Sequence, residues 1–338
     1  MSDLPKIGID IGAATIKLVE LAPVGRDAWK MVTAASIPTP TGGINSPVAV
    51  TAAIVKLLRE AGAKSRRVVA ALPEDQVSSH VVNMPTLSDD EVKSAIRWQV
   101  EQYIPIPADR AVWSYEIVSR DKSSGEMEIL LMATSKVLVA TYTQILQQAG
   151  LEVVALETEM TASARACVPD ELTTSMIVDI GAKSTDVGVV SRGQLVFSRT
   201  IPVAGDAFTR SIESGLGLDS GVAEQYKSTY GLSQTKLDGK LVEAMKPVLN
   251  EISAEIKKTC DFYLTKHPLD TIKLITISGG AAQLVDMVGM LSGLVGIEVA
   301  VANPFAKVHL DTNQTRAVAS TAVYYCVAAG LAMRRIEP

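Results

Sequence analysis

With 338 residues, of which 47% are hydrophobic and 20% charged, the chain is long enough for two domains that each bury a sizeable core, which excludes a disordered or fibrous protein. Its 32 basic and 37 acidic side chains leave a formal charge of -5, too little positive charge to hold a nucleic-acid backbone. Three cysteines, Cys167, Cys260 and Cys326, fit neither a disulfide framework nor a zinc-ligand spacing and read as reduced, buried thiols.

Residues Met1 to Lys6 hold no apolar stretch of signal-peptide length. Lys6 to Leu21, KIGIDIGAATIKLVEL, is an apolar run, a glycine turn and a second alternating run, the pattern of a β-hairpin. Trp29 to Ile37 reads as a third strand, Ser46 to Gly62 as a helix with Val50, Ile54, Leu57 and Leu58 on one face, and Arg67 to Leu72 as a strand. Residues 1–83 thus form one α/β domain. Ser88-Asp-Asp-Glu91 is a capping box that opens a helix ending before Pro105 and Pro107. Two strands, Val112 to Arg120 and Met127 to Thr134, are joined by Asp121 to Gly125, and a helix to Gly150 and a strand to Leu156 follow. The expected organisation is an inset over 84–156, with the first domain resuming at 157–173.

Residues 174–338 form the second domain. Its helices are expected at Gly221 to Tyr230, Val248 to Leu264 and Gln283 to Leu294, and its strands at Ile272 to Ser278 and Glu298 to Ala302. Ala317 to Met333 carries no charge, but it is rich in Ala, Gly, Ser, Thr and Tyr. It therefore reads as a buried helix of small residues rather than a membrane anchor.

The opening motif returns: Ile9-Asp-Ile-Gly-Ala13 is matched by Val178-Asp-Ile-Gly-Ala182, each copy followed by a hydroxyl residue, Thr15 or Ser184, and a second strand. Because each copy opens about half of the chain, an internal duplication explains the match. A glycine hairpin at the end of a strand presents backbone N–H groups where no Cβ blocks an anion. Two such turns facing one another could cradle a polyphosphate, with Gly12, Ala13, Thr15, Gly181, Ala182, Ser184 and Thr185 as the cradle. The aspartate of each turn, Asp10 or Asp179, would hold Mg2+ through water. Ser278-Gly279-Gly280 is a third close-approach turn. No G-x-x-x-x-G-K-[ST] or G-x-G-x-x-G motif occurs, so any nucleotide site uses another architecture.

Duplicated D-I-G turns, a late G-G turn and a terminal small-residue helix resemble the actin/Hsp70/sugar-kinase ATPase superfamily over the whole chain. The resemblance implies an α/β, actin-like ATPase fold of two RNase-H-like domains with ATP and Mg2+ in the cleft between them. Its first phosphate motif maps to Asp10 to Lys17, so Lys17 joins the site. Its second maps to Asp179 to Asp186, and its adenosine motif to Gly279, Gly280 and Gln283. Ala223-Glu224-Gln-Tyr-Lys227 resembles the helix that holds ribose and adenine in several members. On residues alone, Glu224 and Lys227 could equally be an exposed ion pair. Glu159 lies near where relatives place a water-orienting residue. Glu157 lies beside it, but Glu159 is taken as the catalytic candidate for hydrolysis, and at most a slow ATPase is implied.

Met84-Pro-Thr-Leu-Ser-Asp-Asp-Glu91 and Gln99 to Pro107, with its E-Q-Y-I-P run, resemble the PilM family of type IV pilus assembly proteins, which is similar to FtsA in carrying an inset at this point. That resemblance implies a cytoplasmic component reaching the inner membrane through the N-terminal tail of PilN, bound between the first half and the inset, with Tyr103 and Pro105 as candidate contacts. Two other readings stay open: a small-molecule kinase with Asp186 as base, and an FtsA- or MreB-like filament-forming protein.

Overall fold

The computed structural model describes residues 4–25, 27–121, 125–169 and 171–336, so the expected turn residues 122–124 and the extreme ends of the chain lie outside the described residues. β1 (Lys6–Ile11) is buried along its whole length because it runs through the middle of a six-stranded sheet. It pairs antiparallel with β2 (Thr15–Pro23), which pairs with β3 (Trp29–Pro38). α1 (Pro47–Ala61) starts with proline in its first turn and stops at left-handed Gly62, as the sequence pattern requires. β4 (Arg67–Leu72) lies parallel to β1 on its other side.

A second, three-stranded sheet follows, with strand order β5 (Ser78–Pro85), β7 (Glu126–Ser135), β6 (Ala111–Asp121). α2 (Asp89–Tyr103), opened by the Ser88–Glu91 capping box, covers one face by packing Val92, Ile96 and Val100 on Val82, Ile129 and Leu131. The expected inset boundaries need correction at both ends, because this sheet spans Ser78 to Ser135. α3 (Lys136–Gln148) and β8 (Glu152–Thr158) return to the first domain. β8 pairs parallel with β4, and Leu138, Tyr142, Ile145 and Leu146 share a core with α1. A parallel neighbour needs a long crossover, and the inset with α3 supplies it.

After α4 (Glu159–Cys167), the second half repeats the hairpin as β9 (Thr174–Ile180) and β10 (Thr185–Ser191), followed by β11 (Gln194–Ile201). α5 (Gly205–Leu216) was not expected from the sequence; α6 (Ser220–Tyr230) was. α7 (Lys240–Lys266) begins eight residues before the expected start at Val248 and runs through Pro247. A proline inside a helix costs one backbone hydrogen bond, and burial of Leu241, Val242 and Met245 offsets the loss. β12 (Leu274–Ser278), α8 (Met287–Val295) and β13 (Glu298–Val301) complete a five-stranded sheet of order β11-β10-β9-β12-β13. α8 starts four residues later than expected because Asp286 is left-handed.

The last segment corrects the boundary of the second domain. β14 (Val308–His309) pairs with β3 of the first sheet. The expected small-residue helix is two elements, α9 (Thr312–Val318) and the wholly buried α10 (Cys326–Met333). Among the described residues no single helix is long and apolar enough to cross a membrane; residues 312–333 meet that test only as a pair bent by 91°. α10 packs on β1 and crosses α4, which packs on the five-stranded sheet, so the two short helices are the layer between the halves. Their approach depends on Gly330, where a Cβ would stand 1.8 Å from the backbone oxygen of Ala162.

Candidate functional site

The two duplicated turns are built alike. Gly12 N–H donates to the Thr15 carbonyl at 3.1 Å, and Gly181 N–H to the Ser184 carbonyl at 3.0 Å. Both line one cleft of about 790 Å³ between the halves. The cleft gathers Asp10, Gly12, Ala13, Thr15 and Lys17 from the first turn and Asp179, Gly181, Ala182 and Ser184 from the second. It also gathers Glu159 from α4, Glu224 and Lys227 from α6, and Gly279, Gly280 and Gln283 after β12. Gly279 adopts φ +81°, and a Cβ there would lie 2.4 Å from the Ile180 carbonyl, so this close approach requires glycine.

Three expected positions fall elsewhere. Thr185 is fully buried and donates its hydroxyl to the Val203 carbonyl at 2.7 Å, so it braces β10 instead of joining the cradle. Tyr103 lies beside His80, ring centroids 5.9 Å apart, on the α2 side of the inset sheet. Pro105 is exposed just beyond that helix.

Charge in the cleft is dominated by carboxylates. Lys17 Nζ donates to Asp10 Oδ2 at 2.8 Å, while buried Asp10 Oδ1 has no hydrogen-bond partner. Burial works against the Lys17 ammonium, but Asp10, with Asp179 and Glu159 nearby, carries its pKa above the ordinary lysine value. Asp179 accepts from Ser278 Oγ at 2.7 Å, yet burial raises its pKa. Burial also pushes Asp186 up to about 7, although Thr200 Oγ1 donates to it at 2.5 Å. Glu159 is raised well above the usual carboxylate range, first by burial and then by Asp10 and Asp186. Its Oε2 accepts from Glu74 N–H at 3.2 Å, and the Glu74 carboxylate in turn accepts from Met160 N–H at 3.2 Å. Glu157, two residues earlier, is not part of this group: it is buried in ion pairs with Arg165 and Arg334.

At the other end Lys227 is buried, donating to Thr209 Oγ1 at 2.8 Å, the Gly205 carbonyl at 3.1 Å and Glu224 at 2.7 Å. The i,i+3 pair that the sequence left open does form, with Lys227 buried, Glu224 half-exposed and both residues lining the cleft. Sequence reasoning missed Gly205 and Asp206 in the cleft lining. The signal was a Gly-Asp step after a strand, where α5 begins.

Chemically, the cleft offers glycine-turn amides, three lysines (Lys17, Lys183 and Lys227) and a carboxylate oxygen of Asp10 awaiting a partner, which suits a polyanion carrying a divalent cation. Among the described residues no group of three or more His, Cys, Asp or Glu side chains could by itself hold a metal ion.

The comparisons with known proteins agree with this geometry. A solved PilM-PilN type IV pilus biogenesis complex contains a chain 27% identical, aligned over 98% of this chain and 99% of that one, with a TM-score of 0.83. MreB5 of Spiroplasma citri, solved bound to ADP, shares the actin-like fold at a TM-score of 0.56 and 14% identity, over 97% of this chain and 94% of that one. The cell division protein FtsA of Bacillus subtilis is 30% identical over 121 residues, 34% of this chain. That match spans only 28% of FtsA's own length. The fold is thus the actin-like one, two related α/β domains with an added inset. The family model described as type IV pilus assembly protein PilM matches residues 8–336, and the chain belongs to that family.

Proposed function

We propose that the chain is a cytoplasmic, nucleotide-binding component of a type IV pilus assembly platform, which takes up ATP with Mg2+ in the cleft and docks the N-terminal tail of PilN. The observation that carries the nucleotide reading is the pair of duplicated turns lining one cleft, with the orphaned oxygen of Asp10 between them. When bound, the metal would neutralise phosphate charge. Asp10 and Asp179 would hold it through water, since among the described residues no three His, Cys, Asp or Glu side chains form a cage of their own. Lys17 and the turn amides would bind the phosphates, and α6 and Gly279–Gln283 the nucleoside.

The partner reading rests on the PilM-PilN likeness and on the inset. Trp113, Tyr115 and Ile117 of β6 pack toward α2, so Val112, Ser114 and Glu116 face the other way, where Glu116 feels the charges of Glu157 and Arg165. Val112, 41% exposed, and Val137 at the start of α3, 76% exposed, leave apolar surface at that junction. An extended apolar tail fits there.

Calorimetry on the full chain with Mg-ATP, and separately with a PilN N-terminal peptide, tests both readings. Binding of each is expected, and no heat with either ligand would remove the corresponding half.

A further inference from the structure

The duplicated turns are held from behind by unlike devices. In the second half, Gly205 N–H donates to the Gly181 carbonyl at 3.0 Å and Asp206 N–H to the Ala182 carbonyl at 2.8 Å, so the start of α5 grips two successive turn carbonyls. In the first half no helix stands there. Thr39 holds this turn alone: its Oγ1 donates to the carbonyl of Gly12, the equivalent of Gly181, at 2.7 Å, and its backbone N–H to the Ala14 carbonyl, one residue beyond the equivalent of Ala182, at 3.0 Å. Pro38 and Pro40 flank it. One fixes its own φ near the extended range, and the other biases the residue before it, Thr39, to extended backbone.

A trans peptide is planar, so a carbonyl and the N–H of the next residue point in opposite directions. Drawing the Gly12 carbonyl toward Thr39 turns the Ala13 N–H away from Thr39, and fixing the Ala14 carbonyl does the same for the Thr15 N–H. Ala13, Ala14 and Thr15 line the cleft; Thr39 stands behind them, outside its lining. An amide already aimed at an anion loses no orientational freedom on binding, which is the general advantage of preorganisation.

We infer that Thr39 is the positioning residue of the first turn: a rigid Pro-Thr-Pro strap that holds the Ala13 and Thr15 amides ready for a polyphosphate. The inference rests on the nucleotide reading above and adds that phosphate affinity is set in part by a side chain that never touches the ligand.

The test compares wild type with Thr39→Val, which keeps shape and loses the hydroxyl, and Thr39→Ser, which keeps the donor. Binding of Mg-ATP and of adenosine is measured by calorimetry. Thr39→Val is expected to weaken ATP about five- to tenfold, the scale of one lost hydrogen bond, and to leave adenosine unchanged. Thr39→Ser is expected to stay within about twofold of wild type for both. Unchanged ATP affinity in Thr39→Val, an equal loss of ATP and adenosine, or a Thr39→Ser variant as weak as the valine would overturn the assignment. Independently of any variant's folding, the Ala13 and Thr15 amide resonances of the wild type are expected to shift on addition of ATP. If they stay still while ATP binds, Thr39 is wrongly assigned although the nucleotide reading stands; if wild type binds no ATP, both fail.

Discussion

Lys17 and Asp186 occupy the same place in the two halves of the chain. Lys17 pairs across its hairpin with Asp10, and Asp186 pairs across its hairpin with Asp179. The duplication has therefore kept the turn and the leading aspartate while opposing charges stand at the partner position. In the first half the aspartate is matched by an ammonium at 2.8 Å. In the second it faces another carboxyl group, and burial holds both above their ordinary pKa. A ligand that brings a cation to the second turn and an anion to Lys17 would relieve both halves, as a metal-bound polyphosphate does.

Stability should depend on pH through Asp186. Its pKa is about 7 in the folded chain and near 3.9 when unfolded, so between those values the folded state holds a proton that the unfolded state has released. Stability therefore falls as pH rises from about 4 to about 7 and is level above, by an amount on the order of 4 kcal/mol if the group acts alone. Glu74, Glu159 and Asp179, also raised, contribute in the same direction. Asp186→Asn, measured by urea unfolding across this range, is expected to show a flatter profile and to exceed wild type at pH 8. A parallel profile would show that Asp186 ionises normally.

Removing either turn aspartate should weaken nucleotide binding in a metal-dependent way. Asp10→Ala and Asp179→Ala are each expected to cost about 1 to 3 kcal/mol of Mg-ATP affinity, the scale of a charge-assisted contact. Without Mg2+ the difference from wild type should shrink. Equal affinity of folded variants and wild type in Mg2+ would place the metal elsewhere.

Much of the site was legible because it is local. The D-I-G turns, their aspartates and the Gly279–Gly280 turn are each written in a few consecutive residues, and hairpin geometry follows from them. What escaped depends on pairing distant in sequence. Nothing in Lys136 to Thr158 says that its strand will join β4, so the inset was drawn too long. Thr185 has the residue type of a phosphate ligand, but alternation along β10 puts it on the face opposite Asp186, where its hydroxyl donates to the Val203 carbonyl. Tyr103 was chosen for its aromatic character, which does not report the face of the sheet on which it lies.

The α4–α10 crossing gives a sharp stability prediction. In Gly330→Ala the new methyl would meet the Ala162 carbonyl oxygen at 1.8 Å and its carbon at 2.5 Å, both backbone atoms that no rotamer change can move. Overpacking against side chains typically costs about 1 to 3 kcal/mol, and here about 3 or more is expected because the helices themselves must separate. Thermal unfolding checks it; a variant melting within a few degrees of wild type would show that the two helices slide freely.

Hydrolysis should be slow. A general base must be ionised to accept a proton from water, and burial raises the Glu159 pKa well above the usual carboxylate range, which disfavours its ionised form. Turnover well below the roughly 1 to 100 per second of kinases is expected, with Glu159→Gln binding Mg-ATP as wild type does. Rapid phosphate release that disappears in Glu159→Gln would make Glu159 a working base after all.

Docking of the PilN tail should be sensitive to the body-facing side of the inset and indifferent to its α2 side. Val112 and Val137 are exposed where the inset sheet meets α3; Val112 lies opposite Thr134, on the face away from α2, since its neighbour Trp113 packs toward α2. An aspartate at either position would place a charge against an apolar tail, and burying an unpaired charge in an interface costs more than a lost contact. Val112→Asp and Val137→Asp are therefore each expected to lower affinity for a PilN N-terminal peptide by tenfold or more, about 1.4 kcal/mol. Tyr103→Ala, on the far face, should bind as wild type. Mg-ATP binding by the same variants serves as the folding control, because the cleft lies outside the inset. Full peptide affinity in both aspartate variants with a loss in Tyr103→Ala would move the groove to the α2 side, where the sequence alone had placed its bets.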